Sequence, residues 1–116
     1  MPDQRFECYR RKEEWIQRYI FPGSLLPSLE ALQTAMSRAS GLMVVGLEEI
    51  GPDYAETLED WRKRFFVNLT EVRALGFDER FVRIFDFYLA SCEALFRTRA
   101  IRGIQLVLGR LFEEAA

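Results

Sequence analysis

The chain has 116 residues, of which 49% are hydrophobic and 14% aromatic, and its formal net charge is −2. This composition predicts one small packed domain, residues 1–116, and argues against a disordered chain and a nucleic-acid partner. The sequence has no apolar run of about 18 residues, which argues against a transmembrane segment. Because the sequence has no histidine and only two cysteines, it lacks the residues for histidine-dependent catalysis and for a disulfide framework. We therefore expect a cytoplasmic protein, with peripheral contact at the inner membrane surface as a further option.

The first predicted helix begins at Asp3, which can cap it, and its apolar residues continue at helical spacing as far as Ile20. Pro22 and Gly23 then interrupt the chain. The segment 19–28, YIFPGSLLPS, holds two prolines and a glycine among apolar residues. This composition is typical of an ordered, partly buried loop.

A second helix is predicted from Ser28, which can cap it, to Gly41, which ends it. The residues that follow, 42–47, read LMVVGL and form a continuous apolar run of strand length. Such a run favours a strand that is covered on both faces, as in an α/β sheet.

A third helix is predicted after Asp53, which forms a capping-box pattern with Glu56. This helix has the clearest periodicity in the chain, and Gly76 ends it. Its apolar stripe consists of Tyr54, Leu58, Trp61, Phe65, Leu69 and Val72.

A fourth helix is predicted from its cap, Asp78, and the alternation after Gly103 predicts a second strand at 104–108. The expected fold is therefore helix-rich α+β, with about four helices and two strands. Because two strands do not form a stable sheet alone, they are expected to belong to the edge of a larger one. The apolar face of the fourth helix carries Phe81, Phe85, Tyr88, Cys92 and Phe96.

A family resemblance rests on segments that together cover nearly the whole chain. They are QRFECYRRKEEWIQRYIFPGSLLPSLEAL, IGPDYAETLEDWRKRF, LGFDERFVRIFDFYLASCEALFR and IQLVLGR. In these segments the chain resembles the cyclopropane-fatty-acyl-phospholipid synthases and the mycolic acid cyclopropane synthases. The motifs YIFPG-x-x-LPS, DYAETL and FYL-x-x-CE-x-x-F are specific in combination.

The resemblance implies a C-terminal fragment of a Rossmann-like methyltransferase fold, in which the last two strands pair antiparallel. Family members carry a glycine-rich turn for S-adenosylmethionine upstream of the matched segments, so this chain is expected to lack the cofactor-binding half of the domain. In the family reaction a methylene unit is added to the cis double bond of a lipid acyl chain, and a bound bicarbonate takes up the released proton.

The resemblance also implies the site residues. Tyr54, in DYAETL, matches the tyrosine that contacts bicarbonate and is the catalytic candidate. From the residues alone, an apolar stripe fits a protein core as well as an acyl pocket, because both bury apolar surface. The positions that match the family's acyl pocket are Phe21, Leu26, Leu58, Tyr88, Cys92 and Phe96.

These observations leave three hypotheses for function. In the first, the chain is a fragment of a lipid-modifying methyltransferase and is inactive alone. In the second, it is an association module that forms a homo-oligomer or complements a separate N-terminal methyltransferase segment. In the third, it binds an apolar ligand such as an acyl chain or a phospholipid.

Overall fold

The computed structural model describes residues 1–110, and the last six residues of the predicted domain lie outside this range. The described part is elongated, with extents of 60 × 29 × 28 Å. None of its helices combines the length and the apolar character needed to cross a bilayer. In chain order its elements are α1 (Asp3–Tyr9), α2 (Trp15–Tyr19), α3 (Leu29–Ala39), β1 (Leu42–Glu49), α4 (Gly51–Val67), α5 (Leu69–Ala74), α6 (Glu79–Arg97) and β2 (Ile104–Arg110).

The two strands pair antiparallel over their full length, from Leu42 opposite Arg110 to Glu49 opposite Ile104. The predicted pairing is therefore confirmed, although both strands are longer than predicted. They extend because the ladder continues through polar residues that interrupt the apolar pattern, such as Glu48 opposite Gln105.

One face of β1 is covered and the other is open within residues 1–110. Helix α3 packs against the strand, and the residues of β1 alternate between partly buried and exposed. On the open face Met43 and Val45 are 43% and 55% exposed, and a β-bulge at Val45 interrupts the pairing between Val44 and Gly46. The described part of the chain therefore supplies a layer of structure on one side of β1 only, and the second face of the apolar strand lacks a covering layer within residues 1–110.

The core lies between α4 and α6, the two longest helices, which pack along each other. Ala55 and Leu58 of α4 are 0% and 1% exposed, and Val82 and Leu89 of α6 are also buried. Apolar residues at helical spacing on both helices produce this contact, as the sequence predicted. Ion pairs also link the two helices, with Arg62 Nε 2.5 Å from Asp86 Oδ1 and Arg97 2.7 Å from Glu59.

The first predicted helix is divided into α1 and α2. Five charged residues in succession, 10–14, separate the two pieces and are exposed. The second piece has its own start, because the backbone N–H of Glu14 donates to Gln17 Oε1 at 2.7 Å in a capping box. Asp3 does not cap α1 but accepts a hydrogen bond from the N–H of Glu30, at the start of α3, at 3.1 Å.

The third predicted helix starts earlier than predicted and is also divided. Helix α4 begins at Gly51 after the N-cap Ile50, so the predicted capping box of Asp53 and Glu56 is wrong. The reason is tertiary, since the N–H of Ile50 donates to the carbonyl of Gly103 at 2.8 Å and joins the end of β1 to the start of β2. At the other end, the side chain of Asn68 bonds the carbonyl of Arg64 at 2.8 Å and separates α4 from α5.

The mixed helix–strand fold is confirmed, and division of two predicted helices gives six helices in the described range. The predicted caps of α3 and α6 are confirmed too. Ser28 Oγ accepts from the N–H of Ala31 at 3.1 Å, and Asp78 Oδ1 accepts from the N–H of Phe81 at 2.9 Å.

Replacing Asp78 with alanine is expected to lower the free energy of unfolding by about 1 kcal/mol, because an orphan N–H at the start of α6 loses its acceptor. Asp53→Ala is the matched control, since Asp53 lies in the first turn of α4 but is not its cap. We expect a loss of less than about half as much for that variant. Urea denaturation followed by circular dichroism measures both, and equal losses would contradict the assignment of the cap.

Candidate acyl-binding site

A cavity of about 290 Å³ lies beside the contact between α4 and α6. The structure brings all the predicted site residues to its wall, although they come from three separate parts of the chain. This convergence is a geometric finding, and the role of each residue remains a prediction. The predicted residues on the wall are Phe21, Leu26, Tyr54, Leu58, Tyr88, Cys92 and Phe96.

Helical spacing accounts for most of this convergence. Tyr54 and Leu58 are one turn apart on α4, and Tyr88, Cys92 and Phe96 follow one another at one-turn intervals on α6. Residues four apart lie on the same face of a helix. The two helices therefore present continuous apolar rows to one space.

Tyr54 is held by aromatic contacts. Its ring packs edge-to-face on Phe96, with centroids 4.8 Å apart, and on Trp61, with centroids 5.9 Å apart. Such contacts fix the orientation of the ring. Tyr54 lines the cavity, and its hydroxyl forms no hydrogen bond with another residue in 1–110, so it can pair with a ligand.

The loop 19–28 forms the remaining wall and is tied to the first two helices. The N–H of Leu26 donates to the Tyr9 hydroxyl at 3.1 Å, and Gln17 Nε2 donates to the carbonyl of Ser24 at 2.8 Å. Gly23, at φ +77°, allows the tight turn between these two anchors. Phe21 reaches α6, where its ring packs edge-to-face on Tyr88 at 5.7 Å.

This loop is more exposed than the sequence predicted. Phe21 and Leu26 are 49% and 45% exposed although both line the cavity. They therefore stand at the entrance, where one side of each residue faces the cavity and another faces solvent.

Burial keeps two titratable groups of the cavity wall neutral, the Cys92 thiol and the Tyr88 phenol. Burial raises the pKa of the Cys92 thiol. It also raises the pKa of the Tyr88 phenol, with smaller contributions from Cys92 and Tyr54. Both groups are therefore protonated at neutral pH, and a protonated thiol is a weak nucleophile. This part of the wall suits an uncharged, apolar ligand, whereas the charged residues Arg5 and Glu14 line another part.

Other wall residues were not predicted as site residues. Tyr9 is buried on α1, and its hydroxyl anchors the loop. The sequence carries no local signal for this role, because the contact joins residues 17 positions apart. The further apolar residues on the wall are Ile16, Leu95, Ala100 and Ile101.

Residues 1–110 contain no glycine-rich strand-to-helix turn of the kind that the family resemblance implies for S-adenosylmethionine. Their one direct strand-to-helix turn is at Ile50 and Gly51, between β1 and α4. A Cβ at Gly51 would lie 3.4 Å from the backbone nitrogen of Gly103, so this turn packs against the residue before β2 and is not the glycine-rich turn that the resemblance assigns to the cofactor. No group of residues in 1–110 could hold a metal ion either.

The sequence matches a protein family described as mycolic acid cyclopropane synthetase over residues 1–106. It is 45% identical over 110 residues to a tuberculostearic acid methyltransferase of Mycobacterium tuberculosis, a match that covers 95% of this chain and 26% of that protein. It is also 38% identical over 98 residues to the cyclopropane-fatty-acyl-phospholipid synthase of Escherichia coli K12, covering 84% of this chain and 25% of the synthase. The chain thus spans about a quarter of the length of these relatives.

The fold is also similar to that of a solved structure from this family. A crystal structure of a mycolic acid cyclopropane synthase complexed with SAH and CTAB superposes with a TM-score of 0.74 at 30% identity. The superposition covers 90% of this chain and 34% of that structure. Sequence and structure thus agree on the relationship over most of the chain, and the protein belongs to the mycolic acid cyclopropane synthetase family.

Proposed function

We propose that this chain is the acyl-binding part of a methyltransferase that adds a one-carbon unit to unsaturated acyl chains of lipids, and that it is inactive alone. The observation that carries the proposal is the convergence of all the predicted acyl-pocket residues on one cavity wall. S-adenosylmethionine would be held elsewhere in such an enzyme, since residues 1–110 contain no glycine-rich strand-to-helix turn.

The cavity supports an acyl ligand by its chemistry and its size. Its wall is made mainly of aromatic and aliphatic side chains, and its thiol and phenol are neutral at neutral pH. Binding there would be driven by removal of apolar surface from water, at about 25 cal/mol per Å². A volume of about 290 Å³ lies at the lower end of the range for ligand pockets. The cavity would therefore hold one segment of a long acyl chain, and the rest would extend through the entrance.

Tyr54 gives this apolar cavity a polar group in a fixed position. Its ring is packed by Phe96 and Trp61, and the residue lines the cavity. A phenol O–H can donate a hydrogen bond to a small anion such as bicarbonate, which is the role that the family resemblance assigns to this position. The proposed contribution of Tyr54 is thus to position an anion beside the acyl chain.

The proposal is tested by ligand binding to the chain itself. We expect a fluorescent cis-polyene fatty acid to bind with micromolar affinity and to be displaced by oleic acid, whereas octanoic acid, which buries much less apolar surface, should compete at least about tenfold less well. Tyr54→Phe is the matched variant and should retain acyl binding, because it keeps the ring and removes only the hydroxyl. Isothermal titration with S-adenosylmethionine should show no micromolar binding, and such binding by the chain would contradict the proposal.

A second candidate function, association, is favoured by the open apolar face of the sheet. Val107 of β2 is 61% exposed, beside the exposed residues of β1. Contiguous apolar surface of this kind often marks an interface. We propose a second copy of the chain or an N-terminal methyltransferase segment as its partner. A chain that sediments as a dimer and binds no oleic acid would favour this function over acyl binding.

A further inference from the structure

One side of the acyl cavity carries charged groups. The wall holds two charged side chains, Arg5 on α1 and Glu14 at the start of α2. The apolar rows of the wall come instead from α4 and α6. The cavity therefore has the two parts that a site for an amphiphile needs, an apolar space for the tail and a polar side for the head.

Arg5 lies on the side of the cavity where the entrance is. It is one helical turn before Tyr9 on α1, so the two residues share a face of this helix. The Tyr9 hydroxyl accepts from the N–H of Leu26, an entrance residue, at 3.1 Å. Arg5 is exposed although it lines the cavity. Its guanidinium can therefore meet a group at the boundary between the cavity and solvent.

The guanidinium of Arg5 forms no ion pair or hydrogen bond with another residue in 1–110. The two arginines that follow α1 differ in this respect, since Arg10 and Arg11 both pair with Glu7, at 2.9 and 3.5 Å. A guanidinium has five N–H donors and no acceptor. Arg5 thus brings a positive charge and a set of donors to a wall that is otherwise mainly apolar.

Two other carboxylates of this region are engaged elsewhere. Asp3, on the same helix as Arg5, accepts from the backbone N–H of Glu30 at 3.1 Å. Glu14, on the same wall, takes part in the capping box with Gln17 at the start of α2. Hydrogen bonds to backbone N–H groups hold such carboxylates at the helix ends. A ligand can therefore supply the anion that Arg5 lacks within residues 1–110.

We propose that Arg5 binds the anionic head of the acyl ligand, a carboxylate or a phosphate group, and is a specificity-determining residue of the site. The planar guanidinium matches two oxygens of either group, whereas a neutral ester offers no charged partner. This inference deepens the proposed function and rests on it. With the head held at Arg5, the depth of the tail in the cavity is set, and so is the carbon that lies beside Tyr54.

Pairs of ligands that differ only in the charge of the head test this role. The reporter is the methyl ester of a fluorescent cis-polyene fatty acid, because its own binding does not depend on a charged head. We expect oleate to displace the reporter at least about fivefold better than methyl oleate does. For the phosphate group the pair is 1-oleoyl lysophosphatidylglycerol, used as monomers, and the neutral 1-oleoylglycerol.

Substitutions assign the charge preference to one side chain. Arg5→Gln should abolish the preference for oleate and leave the affinity for methyl oleate within about twofold. Arg5→Lys should keep part of the preference, because an ammonium group retains the charge but not the planar fork. Arg11→Gln is the matched control, since Arg11 is exposed and is not on the cavity wall, and it should keep the full preference. Circular dichroism verifies that each variant is folded.

The outcomes separate the role of Arg5 from the acyl site itself. A preference that Arg5→Gln abolishes for oleate alone identifies a carboxylate head, and one that it abolishes for the lysophospholipid alone identifies a phosphate head. Equal displacement by charged and neutral ligands, a preference that survives in Arg5→Gln, or equal losses for oleate and methyl oleate would overturn the role of Arg5. A chain that binds methyl oleate without any charge preference keeps the proposed function, whereas a chain that binds neither ligand removes both proposals.

Discussion

Replacing Leu58 with alanine is expected to lower the free energy of unfolding by about 3 kcal/mol. The Leu58 side chain is 1% exposed and lies in the small core between α4 and α6. Its truncation removes apolar contacts and leaves a space that the two helices cannot close without moving. Because a domain of this size is stable by only about 5–15 kcal/mol, the loss is a large part of the total. Urea denaturation followed by circular dichroism measures it.

Val67→Ala provides the control for the Leu58 variant. Val67 is on the same helix but is 84% exposed, so its truncation should change the free energy of unfolding by no more than about 0.5 kcal/mol. A loss of less than about 1 kcal/mol for Leu58→Ala, or equal losses for both variants, would show that the contact between α4 and α6 is not the stabilising core.

Local signals in the sequence were sufficient where the interacting groups are close along the chain. Ser28 and Asp78 each accept a hydrogen bond from an N–H three residues ahead, so both caps could be predicted. The rows of apolar residues on α4 and α6 were predicted for the same reason, since four-residue spacing alone places them on one face.

Long-range contacts explain what the sequence could not predict. Asp53 has the local pattern of a cap, but the hydrogen bond from Ile50 to Gly103 sets the start of α4 three residues earlier than this pattern would. Asp3 likewise has the pattern of a cap, yet its carboxylate accepts from Glu30, 27 residues away. In both cases a tertiary hydrogen bond outweighs the local preference.

The residues of the candidate site also divide into those that the sequence predicted and those that depend on long-range contacts. The rows of α4 and α6 followed from spacing, and the family resemblance supplied Phe21 and Leu26. The anchoring of the loop by Tyr9 had no signal in the sequence, because it depends on how α1 approaches the loop. The residues that form the open face of β1 could not be predicted either, since a continuous apolar run does not reveal which of its residues a neighbouring layer covers.

Replacing Cys92 with aspartate is expected to weaken oleic acid binding at neutral pH by at least about thirtyfold, because a carboxylate would have to be desolvated beside the acyl chain. Cys92 is a suitable position because it lies in the middle of the α6 row, and burial already raises the pKa of its thiol. Displacement of a fluorescent fatty acid measures the loss. Cys92→Ala should bind within about twofold of the original chain, since it keeps the wall apolar.

The Cys92→Asp variant also has a predicted pH dependence. Burial should raise the pKa of the new carboxyl above its usual value near 4, so protonation as the pH falls from about 8 to about 5 should restore much of the binding. Cys8→Asp is the matched control, because Cys8 is exposed on α1, and it should bind oleic acid normally at every pH. Equal binding by the Cys92→Asp and Cys8→Asp variants would show that the acyl chain does not contact this row, and the α6 stripe would then serve only as core.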